Sequence, residues 1–305
     1  MRKGNKFTPQ VLRKWDAENK RGEGVLNEYR PWHQVTRSDP PSEGRSHLTF
    51  CPKLKRMRHQ LSDGEQKILG FSLMLPNQVD IREEFKLERQ DHYNHLAQYA
   101  TKSKRLIDKG TLEIAASLGI KHPQLMKDGD HEYWVCTTDF LITYQLEPHS
   151  DSYEIIAVSY KTVEDLSNKR KRNLLKIERD YWRLEKSTWL LLTPRQYNKL
   201  VGETVLRVLP WVMHPNQVPF ELKQQCSAAC RRLDGRTYTQ ALKTLEEICE
   251  IESDIAPMVF WQTIWSGLLN VDLTISRFPS DIVRMLDDEA FWNQNPIVMR
   301  RSECL

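Results

Sequence analysis

Several things that would narrow the function quickly are missing from this sequence. No apolar run approaches the roughly 18 residues of a membrane-spanning helix. The opening Met1-Arg2-Lys3-Gly4-Asn5-Lys6 lacks the apolar core of a secretory signal. The six cysteines (51, 136, 226, 230, 249, 304) form no Cys-x-x-Cys pair, which argues against a zinc knuckle and for free thiols. There is no internal repeat and no low-complexity tract. These absences point to a cytoplasmic protein with no membrane partner.

What is present is a chain of 305 residues with 39% hydrophobic residues and nine tryptophans, enough to bury a real core in one large or two ordinary domains. Net charge is only +4, but it is uneven. Residues 1–60 hold 14 Lys and Arg against 6 Asp and Glu, a balance of +8 that leaves −4 for the remainder. A basic N-terminal arm of this kind suits a polyanion such as a nucleic-acid backbone.

Patterning divides the chain into an arm (1–60), a mixed α/β domain (61–194) and a helical domain (195–305). The arm shows little periodicity beyond a short helix near Pro9–Lys20. Ser62-Asp63-Gly64-Glu65 fits a capping box, and a helix is expected from there to Pro76. A strand follows over 79–87, then a charged helical excursion over 91–108 and a short helix from Thr111 to Gly119. Within the excursion, His92 and His95 have no acid or cysteine partner in view and read as a surface pair. Cys226 and Cys230 read as small buried hydrophobes. A helix over 163–186 and a buried strand at Trp189–Leu192 complete the domain. In that helix Glu178, Tyr181 and Trp182 are expected to brace the packing, Glu178 as a supporting group. After 194, helices are expected near 195–211, 218–233, 239–252 and 257–269. A strand at 271–275 and a last helix over 279–287 follow, a set that fits a winged helix-turn-helix.

The densest chemistry falls on a hairpin. Residues 134–146 alternate, with Trp134, Cys136, Phe140, Ile142, Tyr144 and Leu146 on one face and Asp139 on the other. Breaker residues 147–152 form the turn, and β formers return over 153–161. Symmetry about Ser150 sets Asp139 opposite Lys161, on the side of Ser159. An acid and a lysine on one sheet face is how metal-dependent nucleases are built. The predicted order, helix-strand-strand-strand-helix-strand, is the core of the restriction-endonuclease-like fold.

At these residues the chain resembles the TnsA endonucleases, the nuclease subunits of heteromeric transposases. The matching pieces begin with Tyr29-Arg30-Pro31-Trp32, Ser42-Glu43-Gly44-Arg45, Leu61-Ser62-Asp63-Gly64-Glu65 and Asp80-Ile81-Arg82-Glu83. They continue with Gly119-Ile120-Lys121-His122-Pro123, Thr138-Asp139-Phe140-Leu141, Lys161, Glu178-Arg179-Asp180-Tyr181-Trp182 and Trp189. Their order covers about residues 30–195, and Leu268-Leu269-x-x-Asp272-Leu273 extends the likeness toward the family's winged-helix domain. By position, the family's catalytic glutamate, aspartate and lysine fall on Glu65, Asp139 and Lys161. Ser159 stands where the best-known members have glutamine. The backbone carbonyls at Ser159 and Tyr160 would then serve the metal in place of a side chain.

The resemblance implies Mg²⁺, with Mn²⁺ as a substitute, held by Asp139 and Glu65, with Lys161 at the attacking water. It also implies transposon-end DNA as substrate, a DDE-type (TnsB-like) transposase and an AAA+ (TnsC-like) ATPase regulator as partners, and nucleoid association in a bacterial cytoplasm. Cutting would fall on the 5′ strand. Candidate DNA contacts are Arg45, Lys53, Lys55, Arg56, Arg58, Lys169 and Arg170. Two rival readings are an inactive module bridging DNA, transposase and ATPase, and a winged-helix transcription regulator. The second leaves Glu65, Asp139 and Lys161 without a role.

Overall fold

Period-two patterning governs the middle of the chain and helical patterning the last third, and a computed structural model has its elements in that order. It describes residues 7–36, 45–99, 106–148, 150–275 and 278–305. The elements start with α1 (Pro9–Ala17), the hairpin β1 (His47–Cys51) and β2 (Arg56–Gln60), α2 (Asp63–Leu73) and β3 (Gln78–Lys86). Short pieces follow: β4 (His92–Tyr93), a 3₁₀ turn (His95–Gln98), β5 (Ile107–Asp108), α3 (Thr111–Ser117), β6 (Gln124–Lys127) and β7 (Asp130–Tyr133). Then come β8 (Thr137–Gln145), β9 (Tyr153–Tyr160), α4 (Lys169–Leu184) and β10 (Thr188–Leu192). The helices α5 (Lys199–Val212), α6 (Phe220–Ala228), α7 (Cys230–Leu233), α8 (Tyr238–Cys249), α9 (Ala256–Trp265) and α10 (Asp288–Trp292) close the chain.

Contacts gather these elements into two compact units, one of residues 1–40, 77–191 and 303–305, the other of 41–76 and 192–302. The first is built on a four-stranded sheet in the order β10-β9-β8-β3. β8 lies antiparallel to both β3 and β9. The middle of β8 is buried on both faces, from Thr138 to Thr143, so polar residues there must find partners inside the protein. One face packs Leu141, Ile155 and Ala157 against Ile177, Tyr181 and Trp182 of α4 and Ile114 and Ala115 of α3.

The segment expected as an arm is largely folded. Leu12, Tyr29 and Trp32 are buried. The Trp32 amide donates to the Glu84 carbonyl (3.1 Å), and the Tyr29 hydroxyl to that of Glu83 (2.9 Å), so this stretch is stitched to β3. Aperiodic sequence hid it, because its anchors are isolated aromatics rather than a repeating stripe. The described residues of the 91–108 excursion form no α-helix. Its described ends form the β4–β5 pair, with the 3₁₀ turn between them. Nor do residues 279–287 form a helix: Ile282 and Met285 make isolated antiparallel bridges to Thr237 and Val271, the latter all that appears of the strand expected at 271–275.

The second unit groups the chain differently from the sequence divisions at 60 and 194. Ser62 caps α2 by accepting the Glu65 amide (3.1 Å), as the capping box requires. Its helix then packs with the C-terminal helices. Trp265 Nε1 donates to the Gly70 carbonyl (2.9 Å) and Asn295 Nδ2 to that of Phe71 (2.9 Å). A Cβ built on Gly70 would lie 2.2 Å from Val205 Cγ1 of α5. Helix propensity alone would make Gly70→Ala stabilising by about 1 kcal/mol. We expect the opposite sign, a loss of about 1–3 kcal/mol from overpacking, measured by urea denaturation. Unchanged or raised stability would mean that α2 and α5 do not approach this closely.

Candidate active site

The first unit brings Asp139 and Lys161 together. The β8–β9 register runs Phe140↔Val158 and Leu141↔Ala157, which continues to Asp139 opposite Ser159. The pairing is therefore two residues away from the symmetric one, because the turn closes through Leu146 and Ser152 (3.0 Å). A shift of two preserves the face. Lys161 lies just past the end of β9 and reaches back, so that its Nζ donates to Asp139 Oδ2 (2.9 Å) and to the Tyr160 carbonyl (2.7 Å). The Tyr160 amide donates to the same Oδ2 (2.6 Å). Among the described residues Asp139 Oδ1 accepts no hydrogen bond, although the residue is only 8% exposed. A buried carboxylate with one oxygen tied down and the other bare presents hard lone pairs to a cation.

Ser159 is fully buried, and its hydroxyl donates to Glu178 Oε1. Thr138 Oγ1 donates to the same oxygen (2.7 Å) and accepts Trp182 Nε1–H (2.7 Å). Glu178 thus enters the strand pair from α4 at the level of Ser159. Burial lifts its pKa to about 7; Lys161 pulls it down and Asp139 pushes it back up. Sequence reading treated Glu178 as a brace, and its placement beside Ser159 makes it part of the site's electrostatics.

Glu65 belongs to the other unit. There its Oε2 accepts the Leu61 amide (2.7 Å) and its Oε1 the Ser62 hydroxyl (3.1 Å), so the return bond of the expected capping box goes to the residue before the N-cap. The candidate DNA contacts separate by exposure. Arg56 and Arg58 are buried in the β1–β2 hairpin, and Arg58 Nη2 donates to Cys51 Sγ (3.4 Å). Their guanidiniums are internal, a correction to the arm reading that follows from the hairpin's inward alternation. Lys53 and Lys55 are exposed at the turn, and Arg45 Nε lies 3.7 Å from Asp63. Lys169 and Arg170 are exposed in the first turn of α4, a turn with no acidic residue. Cations at the positive end of a helix are locally unfavourable, so this cluster is suited to a bound anion.

His92 and His95 are not a surface pair. They meet Glu185, at the C-cap of α4, and the three offer ligand atoms within 4.8 Å of one another. The spacing 178–181–185 on α4 was the available signal, because it puts Glu178, Tyr181 and Glu185 on one helix face.

Comparison with known proteins matches the sequence to an endonuclease class. The family model described as "TnsA-like endonuclease N terminal" matches residues 76–194, which contain Asp139, Ser159, Lys161 and Glu178. Over 265 residues the chain is 31% identical to the transposon Tn7 transposition protein TnsA of Escherichia coli, covering 81% of this chain and 85% of that protein. The chain belongs to the TnsA family. Among the described residues no helix is long and apolar enough to cross a membrane.

Glu178 gives a pH prediction. Its folded pKa of about 7 lies above the ordinary value of 4.5, so the folded protein keeps a proton that the unfolded chain releases. The resulting stability is complete below 4.5 and is lost as pH rises to about 7. In chelator, Glu178→Gln should flatten that decline in a series of denaturant midpoints; parallel curves for wild type and variant would remove Glu178 as its source.

Proposed function

We propose that this chain is the metal-dependent endonuclease subunit of a transposase, hydrolysing one DNA strand at each transposon end. The observation that carries this reading is the Asp139–Lys161 pair, with Oδ2 tied down and Oδ1 bare. Family membership supplies the substrate class, and the resemblance supplies the choice of the 5′ strand. A DDE-type transposase would cut the other strand, and an AAA+ ATPase would regulate both. On this reading the β10-β9-β8-β3 sheet with α4 is a restriction-endonuclease-like core, and the C-terminal helices form a winged-helix-like domain.

The donors within the first unit fit Mg²⁺, with Mn²⁺ as a substitute: a buried carboxylate oxygen and the Tyr160 or Ser159 carbonyl nearby; the resemblance alone names Glu65 as the second acid. Bound Mg²⁺ supplies charge neutralisation at the scissile phosphate and a more acidic water. Asp139 would hold the ion through Oδ1 while its Oδ2 fixes Lys161. The Lys161 ammonium, held beside Oδ2, supplies positive charge to the phosphate oxygen as negative charge builds there. Ser159 is no gap in this arrangement, because its hydroxyl is spent on Glu178, which brings a carboxyl group from α4 to the same level. Lys169 and Arg170 offer charge to the phosphate backbone and carry no base-reading chemistry.

A strand-specific nicking assay on transposon-end DNA, with the partner transposase and Mg²⁺, tests the proposal. Wild type should nick the 5′ strand, and Asp139→Ala and Lys161→Ala should each lose about 100-fold or more in rate. Chelator should abolish the cut. Equal nicking by wild type and Asp139→Ala would remove the active-site reading.

A further inference from the structure

The cluster at the C-terminal end of α4 is separate in chemistry from the Asp139 site. Glu185 is fully buried in its side chain, and those of His92 and His95 are 9% and 7% exposed. His92 Nε2 lies 2.8 Å from Glu185 Oε1, and His95 Nε2 lies 3.4 Å from the same oxygen. Both Nε2 atoms lie 2.9 Å from the Tyr181 hydroxyl. Two imidazole nitrogens, a carboxylate oxygen and a phenol therefore converge on one small volume.

The groups around it hold these ligands in place. The Glu88 amide donates to the Tyr181 hydroxyl (3.3 Å), and the His95 amide to the second Glu185 oxygen (3.4 Å). Asn94 Nδ2 donates to the Glu185 carbonyl (3.4 Å) and to Asp108 (3.0 Å). The His92 ring stacks on Tyr181 with centroids 5.1 Å apart, and Phe85 sits edge-on to His95 at 4.8 Å. Tyr181 has one proton to give, so the two Nε2 atoms beside its hydroxyl cannot both accept from it.

We propose that His92 Nε2, His95 Nε2 and Glu185 Oε1 form a Zn²⁺-type metal site that fastens the end of α4 to the segment carrying β4 and the 3₁₀ turn. The ion takes the Nε2 lone pair of a neutral His92, whose one ring proton then sits on Nδ1, and faces the Tyr181 hydroxyl. Tetrahedral zinc, with bonds of about 2.0–2.1 Å, needs ligand atoms about 3.3–3.4 Å apart. The His95–Glu185 separation of 3.4 Å already matches, and the His92–Glu185 contact must open by about 0.5 Å from its hydrogen-bonded 2.8 Å. Two imidazoles select a borderline transition metal over Mg²⁺, whereas the oxygen donors at Asp139 select the reverse. One chain thereby keeps two metals apart by ligand softness.

The test uses the full chain, stripped with chelator and titrated with Zn²⁺ by calorimetry in excess Mg²⁺. Wild type and Asp139→Ala should each take up one tight equivalent, and Zn²⁺ should raise their melting temperature. Glu185→Gln and His92→Asn should each bind at least about tenfold more weakly, losing the thermal shift while retaining the wild-type circular dichroism spectrum. Using two variants keeps the result independent of a folding failure in either. No tight equivalent in wild type, equal binding by both variants, or loss of binding in Asp139→Ala would each overturn the site.

Discussion

One carboxylate oxygen, Asp139 Oδ2, fixes the geometry on which the candidate chemistry depends. It accepts the Tyr160 amide at the end of β9 and the Lys161 ammonium just beyond it. A buried carboxylate with a single oxygen satisfied is costly unless something takes up the other. Here the bare oxygen and the lysine are set side by side by the same strand end. Removing either partner leaves the other without its ion-pair contact.

Helix α4 is the second constraint. Its first turn carries four exposed cations, Lys169 to Arg172. Its middle places Glu178 under Ser159 and Thr138, and its last turn and cap place Tyr181 and Glu185 against His92 and His95. Trp182, donating to Thr138, ties the same helix to β8 between the two clusters.

Much of the site was legible because strand chemistry has a short period. Alternation put Asp139 and Lys161 on one face, and a register error of two residues could not move them off it. The Ser62 cap of α2 was legible for a similar reason, being local hydrogen-bond chemistry. What did not show was set by long-range partners. The 29–32 segment is anchored to β3 by two hydrogen bonds that no periodicity announces. Helix α2 reads as the start of the nuclease domain, yet Trp265 and Asn295, about 200 positions on, hold its Gly70 and Phe71 carbonyls. His92 and His95 looked unpartnered because their acid lies some 90 residues away on α4. Arg56 and Arg58 looked like phosphate ligands because composition carries no information about which face of a hairpin is buried.

The central claim is that Asp139 holds a catalytic cation through the oxygen its hydrogen bonds leave bare. Crystals of the full chain soaked in Mn²⁺ and measured at the manganese absorption edge test it directly. The account predicts an anomalous peak about 2.1–2.3 Å from Asp139 Oδ1, with a backbone carbonyl of Ser159 or Tyr160 in its coordination sphere. A fully occupied manganese elsewhere in the chain, with nothing at Asp139, would contradict it.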